Sequence, residues 1–138
     1  MITYLDSSVV LDRVLDAPGA EATWSRIGGT FTSVLTEVEC LRGLDRIRHA
    51  RLLDDSRMVR GREALFRILE TAELVGIGRS VLDRAALPFP VPIKTLDALH
   101  LATASIYREA TGAVNFATHD RALARAARAM GFEVLGAA

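Results

Sequence analysis

The chain is short of cysteine, lysine and aromatic side chains, and each shortage excludes something. Among 138 residues there is one cysteine, Cys40, so no internal disulfide can form. That fits a reducing compartment, and a cytoplasmic location is the expectation. Lys94 is the one lysine among 17 basic residues. Arginine favours flat bidentate phosphate contacts, yet a GC-rich coding sequence produces the same bias, and composition does not choose between them. Aromatic residues make up 6% of the chain, too few for an extended base-stacking platform. No apolar run is long enough to cross a bilayer, and no basic segment precedes a signal-like apolar stretch at the N-terminus. Neither membrane nor export is therefore expected. The formal net charge is zero, so there is no global basic field to draw in nucleic acid. No repeat, low-complexity tract or linker divides residues 1–138, which predicts a single domain large enough to bury a core without staples.

What is present is an alternation of strand and helix patterns. ITYL (2–5), TFTSV (30–34), ELVGI (73–77), AVNFAT (113–118) and FEVLG (132–136) read as five strands. Helical periodicity covers 7–15, 20–27, 35–47, a polar-sided stretch over 48–73 broken near Gly61, 79–86, 95–110 and 120–130. In the 35–47 helix, Leu35, Val38, Leu41 and Leu44 are expected to face inward. PFPVP (88–92) is too proline-rich for regular structure. Such alternation predicts an α/β fold: a three-layer sandwich with a central, mainly parallel five-stranded sheet flanked by helices.

In open parallel sheets the loops at the carboxyl ends of strands meet in one crevice. Asp6 directly follows the first strand, and Asp120 lies two residues beyond the fourth. Asp97 falls in the first turn of the 95–110 helix, with Thr95 a candidate N-cap, and Glu39 lies about a turn into the helix after the second strand. An aspartate near a helix N-terminus can also serve simply as a cap, and both readings stand for Asp6, Asp97 and Asp120. Glu39 has no such excuse in a mostly apolar helix, although Arg42 at i+3 could pair with it. Glu37 points about 200° away from Glu39 around a helix and reads as a solvated neighbour. His100 and His119 lie near the acids in sequence. His119 could position a phosphate, but hydrogen bonding on a helix face is the simpler role for both.

Four stretches, YLDSSVV around Asp6, TEVECLRGL around Glu39, TLDALHLATA around Asp97 and FATHDRALARAARAMGFEVL around Asp120, resemble the PIN-domain ribonucleases of the VapC toxin type. The likeness runs nearly end to end, with all four stretches in order. It implies a PIN-like parallel-sheet sandwich, Mg²⁺-dependent endonucleolytic RNA cleavage, homodimerisation, and inhibition by a cognate VapB-like antitoxin in a hetero-oligomeric complex. Asp6, Glu39, Asp97 and Asp120 match the family's acidic quartet, and Thr118 matches a supporting hydroxyl. On this basis Asp6 and Asp97 are expected as direct metal ligands, with Mn²⁺ a possible substitute for Mg²⁺. Glu39 and Asp120 would hold coordinated water, orient the nucleophile or bind a second ion. Some relatives carry further acids after the last of the four, whereas here Arg121 follows Asp120, which leaves the metal count open.

Between residues 42 and 67, eight arginines stand against four acids. Arg46, Arg48 and Arg51 could grip phosphates flanking a scissile bond, or the segment could be a solvated, salt-bridged pair of helices. The 7–15, 20–27 and 35–58 helices carry more apolar side chains than one face of a small sheet can cover. Val10, Val14, Trp24, Ile27, Leu44, Leu52 and Leu53 are candidates for an open groove that an antitoxin helix would fill. Three other readings fit the sequence less well. A haloacid-dehalogenase-like phosphatase wants a second aspartate where Ser8 stands, and a receiver domain wants an aspartate after the third strand, where ELVGI offers none. A catalytically silent PIN-fold module would not need all four acids.

Overall fold

The computed structural model describes residues 1–137. Strands β1 (Ile2–Leu5), β2 (Thr30–Ser33), β3 (Glu73–Val75), β4 (Val114–Thr118) and β5 (Glu133–Gly136) form one sheet in the order β3-β2-β1-β4-β5. Every neighbouring pair is parallel, so the sheet is parallel throughout. Helices α1 (Ser7–Val14), α2 (Ala20–Trp24), α3 (Val34–His49) and α4 (Asp55–Thr71) lie in the connections from β1 to β3. Helices α5 (Arg79–Ala85), α6 (Thr95–Thr111) and α7 (Arg121–Ala129) lie in those from β3 to β5. Right-handed crossovers that run first one way and then the other from β1 place the two sets on opposite faces.

The period-two alternation of β1 serves both faces. Leu5 joins Ala117 and Leu135 beneath an aliphatic layer of Val9, Val10, Val14, Cys40, Leu44, Met58, Leu65 and Leu69. Tyr4 turns the other way, into an aromatic layer with Phe31, Phe116, Phe132 and Leu101. Its ring packs edge-on against Phe31 and stacked against Phe116, each at 5.1 Å between centroids. Complete burial of a side chain of this size stabilises the fold by roughly 1.5–3 kcal/mol. Among the described residues, no helix is long and apolar enough to cross a membrane.

Several expectations need correction. No helix break occurs at Gly61: α4 runs through it, because Gly61 is a packing position where an added Cβ would lie 3.7 Å from Leu44. The break comes earlier, where Arg51 adopts a left-handed φ of 55°. Arg51 N–H donates to the Arg48 carbonyl and Leu52 N–H to that of Ile47, a Schellman closure of α3. Asp54 then caps α4 by accepting from the Arg57 N–H at 2.8 Å. Helix α3 buries Thr36, Cys40, Gly43 and Leu44, so Val38 faces solvent at 56% exposure instead of pointing inward. Lys94, not Thr95, occupies the N-cap of α6, with no side-chain hydrogen bond.

The residues expected to line an open apolar groove divide, and Val14 and Trp24 do border a groove of about 610 Å³. Val10, Val14 and Leu44 are buried in the aliphatic core, and Trp24, Ile27 and Leu53 pack against it. Only Leu52, at 71%, is exposed. Two helices, α1 and α4, meet over the same sheet face, and that second layer consumes the apolar surplus that the sequence displays.

Candidate active site

The strand order reverses direction at β1: the chain leaves β1 toward β2 on one side and returns as β4 on the other. Ligands of open parallel sheets bind outside the carboxyl ends of strands at such a switch point. Asp6 follows β1 and Asp120 follows β4, so the two acids flank it. Glu39 reaches over from α3 and Asp97 from the first turn of α6. All four line one cavity of about 540 Å³, together with Ser7, Ser8, Leu11, Leu35, Val38, Leu96, Arg42 and Arg46. A second cavity of about 650 Å³ shares Glu39, Leu96, Asp97 and Asp120 and continues past Lys94.

Asp6 is 4% exposed, and a buried carboxylate is tolerable only if it is well hydrogen-bonded or paired. Its Oδ2 accepts from the Ser8 hydroxyl at 2.6 Å and the Thr118 hydroxyl at 2.8 Å, and more distantly from the Ser8 N–H at 3.4 Å. Its Oδ1 receives only a 3.4 Å contact from the Ser7 hydroxyl. Capping α1 and turning an oxygen toward the cavity are therefore compatible, since different oxygens do each. Thr118 is shared: its Oγ1 also accepts the Asp120 N–H at 3.0 Å, tying the two flanking acids together. Asp120 caps α7 through Oδ1, which accepts the Leu123 N–H at 2.9 Å.

Glu39 is held from an unexpected side. His100, 1% exposed on α6, places Nε2 at 2.5 Å from Glu39 Oε1 and 3.7 Å from Asp6 Oδ1. A carboxylate only accepts, so Nε2 carries the proton. The other ring nitrogen meets the Tyr4 hydroxyl at 2.5 Å. Burial pushes His100 toward the neutral form, but the Glu39 hydrogen bond and the charges of Asp6, Glu39 and Asp97 outweigh it and raise its pKa. The Asp97 carboxyl is also raised, first by burial and then by the charges of Asp120, Asp6 and Glu39, with His100 as a partial offset. Burial, with the Asp6 charge behind it, keeps the Tyr4 phenol protonated. Burial and the charges of Glu39 and Asp6 push the Cys40 thiol up to about 12, which removes it from thiolate chemistry near neutral pH.

Burial and neighbouring carboxylates both disfavour the ionised form of Asp97. Among the described residues, no three His, Cys, Asp or Glu side chains stand close enough together to enclose a metal ion by themselves. The donor set nevertheless suits Mg²⁺, which takes one or two carboxylates and fills its remaining positions with water and phosphate oxygens. Asp6, Glu39 and Asp97 supply hard oxygen donors of that kind to one space.

Of the arginines singled out by sequence, Arg46 lines the cavity, whereas Arg48 and Arg51 do not. Arg48 instead binds Asp45 through Nε at 3.1 Å and Nη2 at 2.9 Å. His119 turns away from the acids, with Nδ1 at 2.6 Å from Asp12 Oδ2 and Nε2 at 2.9 Å from Thr23 Oγ1. The sequence does not single out Ser8 or Lys94 as site residues, counts Arg42 only within the arginine-rich stretch, and reads His100 as a helix-face histidine that hydrogen-bonds, without its carboxylate partner. The signal for Arg42 was its i+3 spacing from Glu39, and for Lys94 its place ahead of the Asp97 helix. No local pattern could have revealed the contact between Tyr4 and His100, 96 residues apart.

An all-parallel α/β domain with an acid-lined cavity at its topological switch point carries that cavity where open parallel sheets bind their ligands. The family model described as "PIN domain" matches residues 3–129, and the chain belongs to that family. It is 30% identical over 137 residues to "Ribonuclease VapC46" of Mycobacterium tuberculosis, covering 96% of this chain and 95% of the relative. Two solved structures share the fold. One is a toxin–antitoxin complex from Klebsiella pneumoniae (TM-score 0.62, 21% identity, 86% of each chain). The other is VapBC2 from Rickettsia felis bound to a promoter DNA fragment (TM-score 0.65, 11% identity, 98% of this chain and 99% of that one).

Proposed function

We propose that the protein is a Mg²⁺-dependent endoribonuclease of the VapC type, the toxin of a toxin–antitoxin pair. The observation that carries this reading is the convergence of Asp6, Glu39, Asp97 and Asp120, from four separate segments, on one cavity at the switch point. Asp6 and Asp97 would hold the ion, with Mn²⁺ as a substitute. When bound, a divalent cation neutralises charge on the scissile phosphate and lowers the pKa of a coordinated water. Asp6 offers Oδ1 because Ser8 and Thr118 occupy Oδ2. Glu39 and Asp120 orient the attacking water, and Thr118 keeps Asp6 and Asp120 in register.

RNA would be held by cations on both sides of the acids. Arg42 and Arg46 border one cavity and Lys94 the adjoining one, so a strand crossing the acids meets positive charge before and after the scissile phosphate. Arg48 and Arg51 contribute little on this reading, because one is bound to Asp45 and neither lines the cavity. The relative's name and the two-component architecture of the structural neighbours support an antitoxin partner of the VapB kind. Homodimerisation, a hetero-oligomer with the antitoxin and a cytoplasmic setting complete the proposal. The test is incubation of the purified protein with total cellular RNA, with and without Mg²⁺, and sequencing of the new ends. Discrete Mg²⁺-dependent cleavage is expected; RNA left intact under both conditions would reject the reading.

A further inference from the structure

We infer that Tyr4 and His100 form a buried strut that fixes where Glu39 presents its carboxylate, which makes His100 a positioning residue of the acid-lined cavity. The inference rests on the reading of that cavity as a metal site. Glu39 sits on the outer helix α3, its side chain 23% exposed. An unanchored glutamate there has three torsions to explore and would leave the cavity for much of the time. The strut removes that freedom by joining three elements: β1 through Tyr4, α6 through His100 and α3 through Glu39. Tyr4 is fully buried between Phe31 and Phe116, so the hydroxyl that meets Nδ1 has little room to move. With that nitrogen occupied, the ring directs its other nitrogen to Glu39 Oε1 and leaves Oε2 for the cavity.

A purely structural role explains this arrangement poorly. An apolar side chain of similar volume would fill the space without a buried polar ring. Here both ring nitrogens are used, and the outward one serves a cavity carboxylate. His119 is the internal contrast, since its partners Asp12 and Thr23 lie off the acids.

The two amide replacements separate the roles. Glutamine can set an amide nitrogen where Nε2 stands, while asparagine reaches only the position of Nδ1. His100→Asn should weaken Mn²⁺ binding, measured by electron paramagnetic resonance of the free ion, by about 10- to 100-fold. His100→Gln should recover most of it. Because His100 acts through Glu39, His100→Asn combined with Glu39→Gln should cost little more than the worse single change. In metal-free wild type, the Nε2 proton should appear as a downfield NMR resonance that Glu39→Ala abolishes. That readout needs neither metal, RNA nor a His100 variant that folds. Absence of the resonance overturns the strut, as does a folded His100→Asn protein that binds Mn²⁺ normally. Equal losses in both His100 variants, additive with Glu39→Gln, would reduce the ring to packing and also overturn it. If the resonance is present but Glu39→Gln alone binds Mn²⁺ normally, the metal-site role of Glu39 is what fails, and positioning for metal falls with it.

Discussion

Two concavities of similar size handle charge in opposite ways. The groove between α1, α2 and α4, about 610 Å³, mixes Arg13, Arg57, Arg60 and Arg67 with Asp16 and Glu21 around Trp24. Its charges are of both signs and several have partners: Arg13 pairs with Glu21 and lies over the Trp24 ring, and Arg60 donates to the Ser56 hydroxyl at 2.7 Å. The cavity at the switch point instead gathers four carboxylates, where burial first and then their mutual repulsion raise Asp97, with one buried histidine beside them. Mixed charge on an open surface is at rest in water. Like charge held together by buried hydrogen bonds is costly, and the cost makes sense where a cation is to be received.

The hardest blow to that contrast should come from Asp6→Asn or Asp97→Asn. Each keeps the side-chain size and removes a charge from the cavity. RNA cleavage should fall at least about 100-fold, the scale of a single electrostatic group at a reacting centre. The fold, followed by circular dichroism, should survive. Near-normal cleavage by both variants would return these acids to helix capping. Glu37→Gln, on the same helix as Glu39, should leave cleavage unchanged.

A smaller effect concerns stability without metal. An aspartate whose folded pKa is raised above 3.8 favours the fold only while protonated, and that advantage is lost as pH rises through the folded value. His100 adds to the trend: raised above 6.5, it contributes stability that is complete below that value and is lost as pH rises through its own folded pKa. The metal-free protein should therefore lose stability as pH climbs from acid to mildly alkaline. Asp97→Asn removes the carboxylate part of that loss. Its metal-free melting temperature near pH 8 should exceed wild type by roughly 2–4 °C at most, because partial exposure screens the repulsion. The difference should vanish below pH 3.8, and Mg²⁺ should stabilise the wild type more than the variant. Identical melting curves across pH would mean that the cavity stores no repulsion.

How much of this was legible in the sequence follows from the range of the interactions. The strands, the parallel sheet and the four acids were readable because alternation, strand ends and motif spacing are local. Val38 was misplaced because three apolar residues at helical spacing suggested a stripe, whereas α3 turns its small residues inward. Gly43 lies so close to α1 that an added Cβ would stand 2.8 Å from Leu11, a fact of packing between helices. Val10 and Leu44 were misread as groove residues for a related reason: periodicity reports which side chains seek burial, not which partner element buries them. Arg51 was invisible as a helix end because arginine is not the residue expected in a left-handed turn.

The finest division runs within the arginines themselves. Arg46 and Arg48 are neighbours on α3, both exposed and both in the stretch first suspected of holding RNA. Arg46 borders the acids, while Arg48 shares Asp45 with Arg42 and His49. Hydrogen bonding from Arg48, with the Arg48 and Arg42 charges behind it, holds the Asp45 carboxyl below its usual range. An arginine already engaged by a carboxylate releases fewer counterions when a phosphate arrives. Arg46→Ala should thus weaken RNA binding a few-fold and flatten the logarithmic salt dependence by about 0.7, the share of one phosphate contact on a single strand. Cleavage at saturating RNA should change less than binding does. Arg48→Ala should leave both the salt slope and the melting temperature where they were, since exposed ion pairs contribute little. Equal slopes for the two variants would erase the distinction and make the strip a uniform field. A flattened slope for Arg48→Ala alone would move the RNA path off the cavity edge, onto the face that carries Asp45.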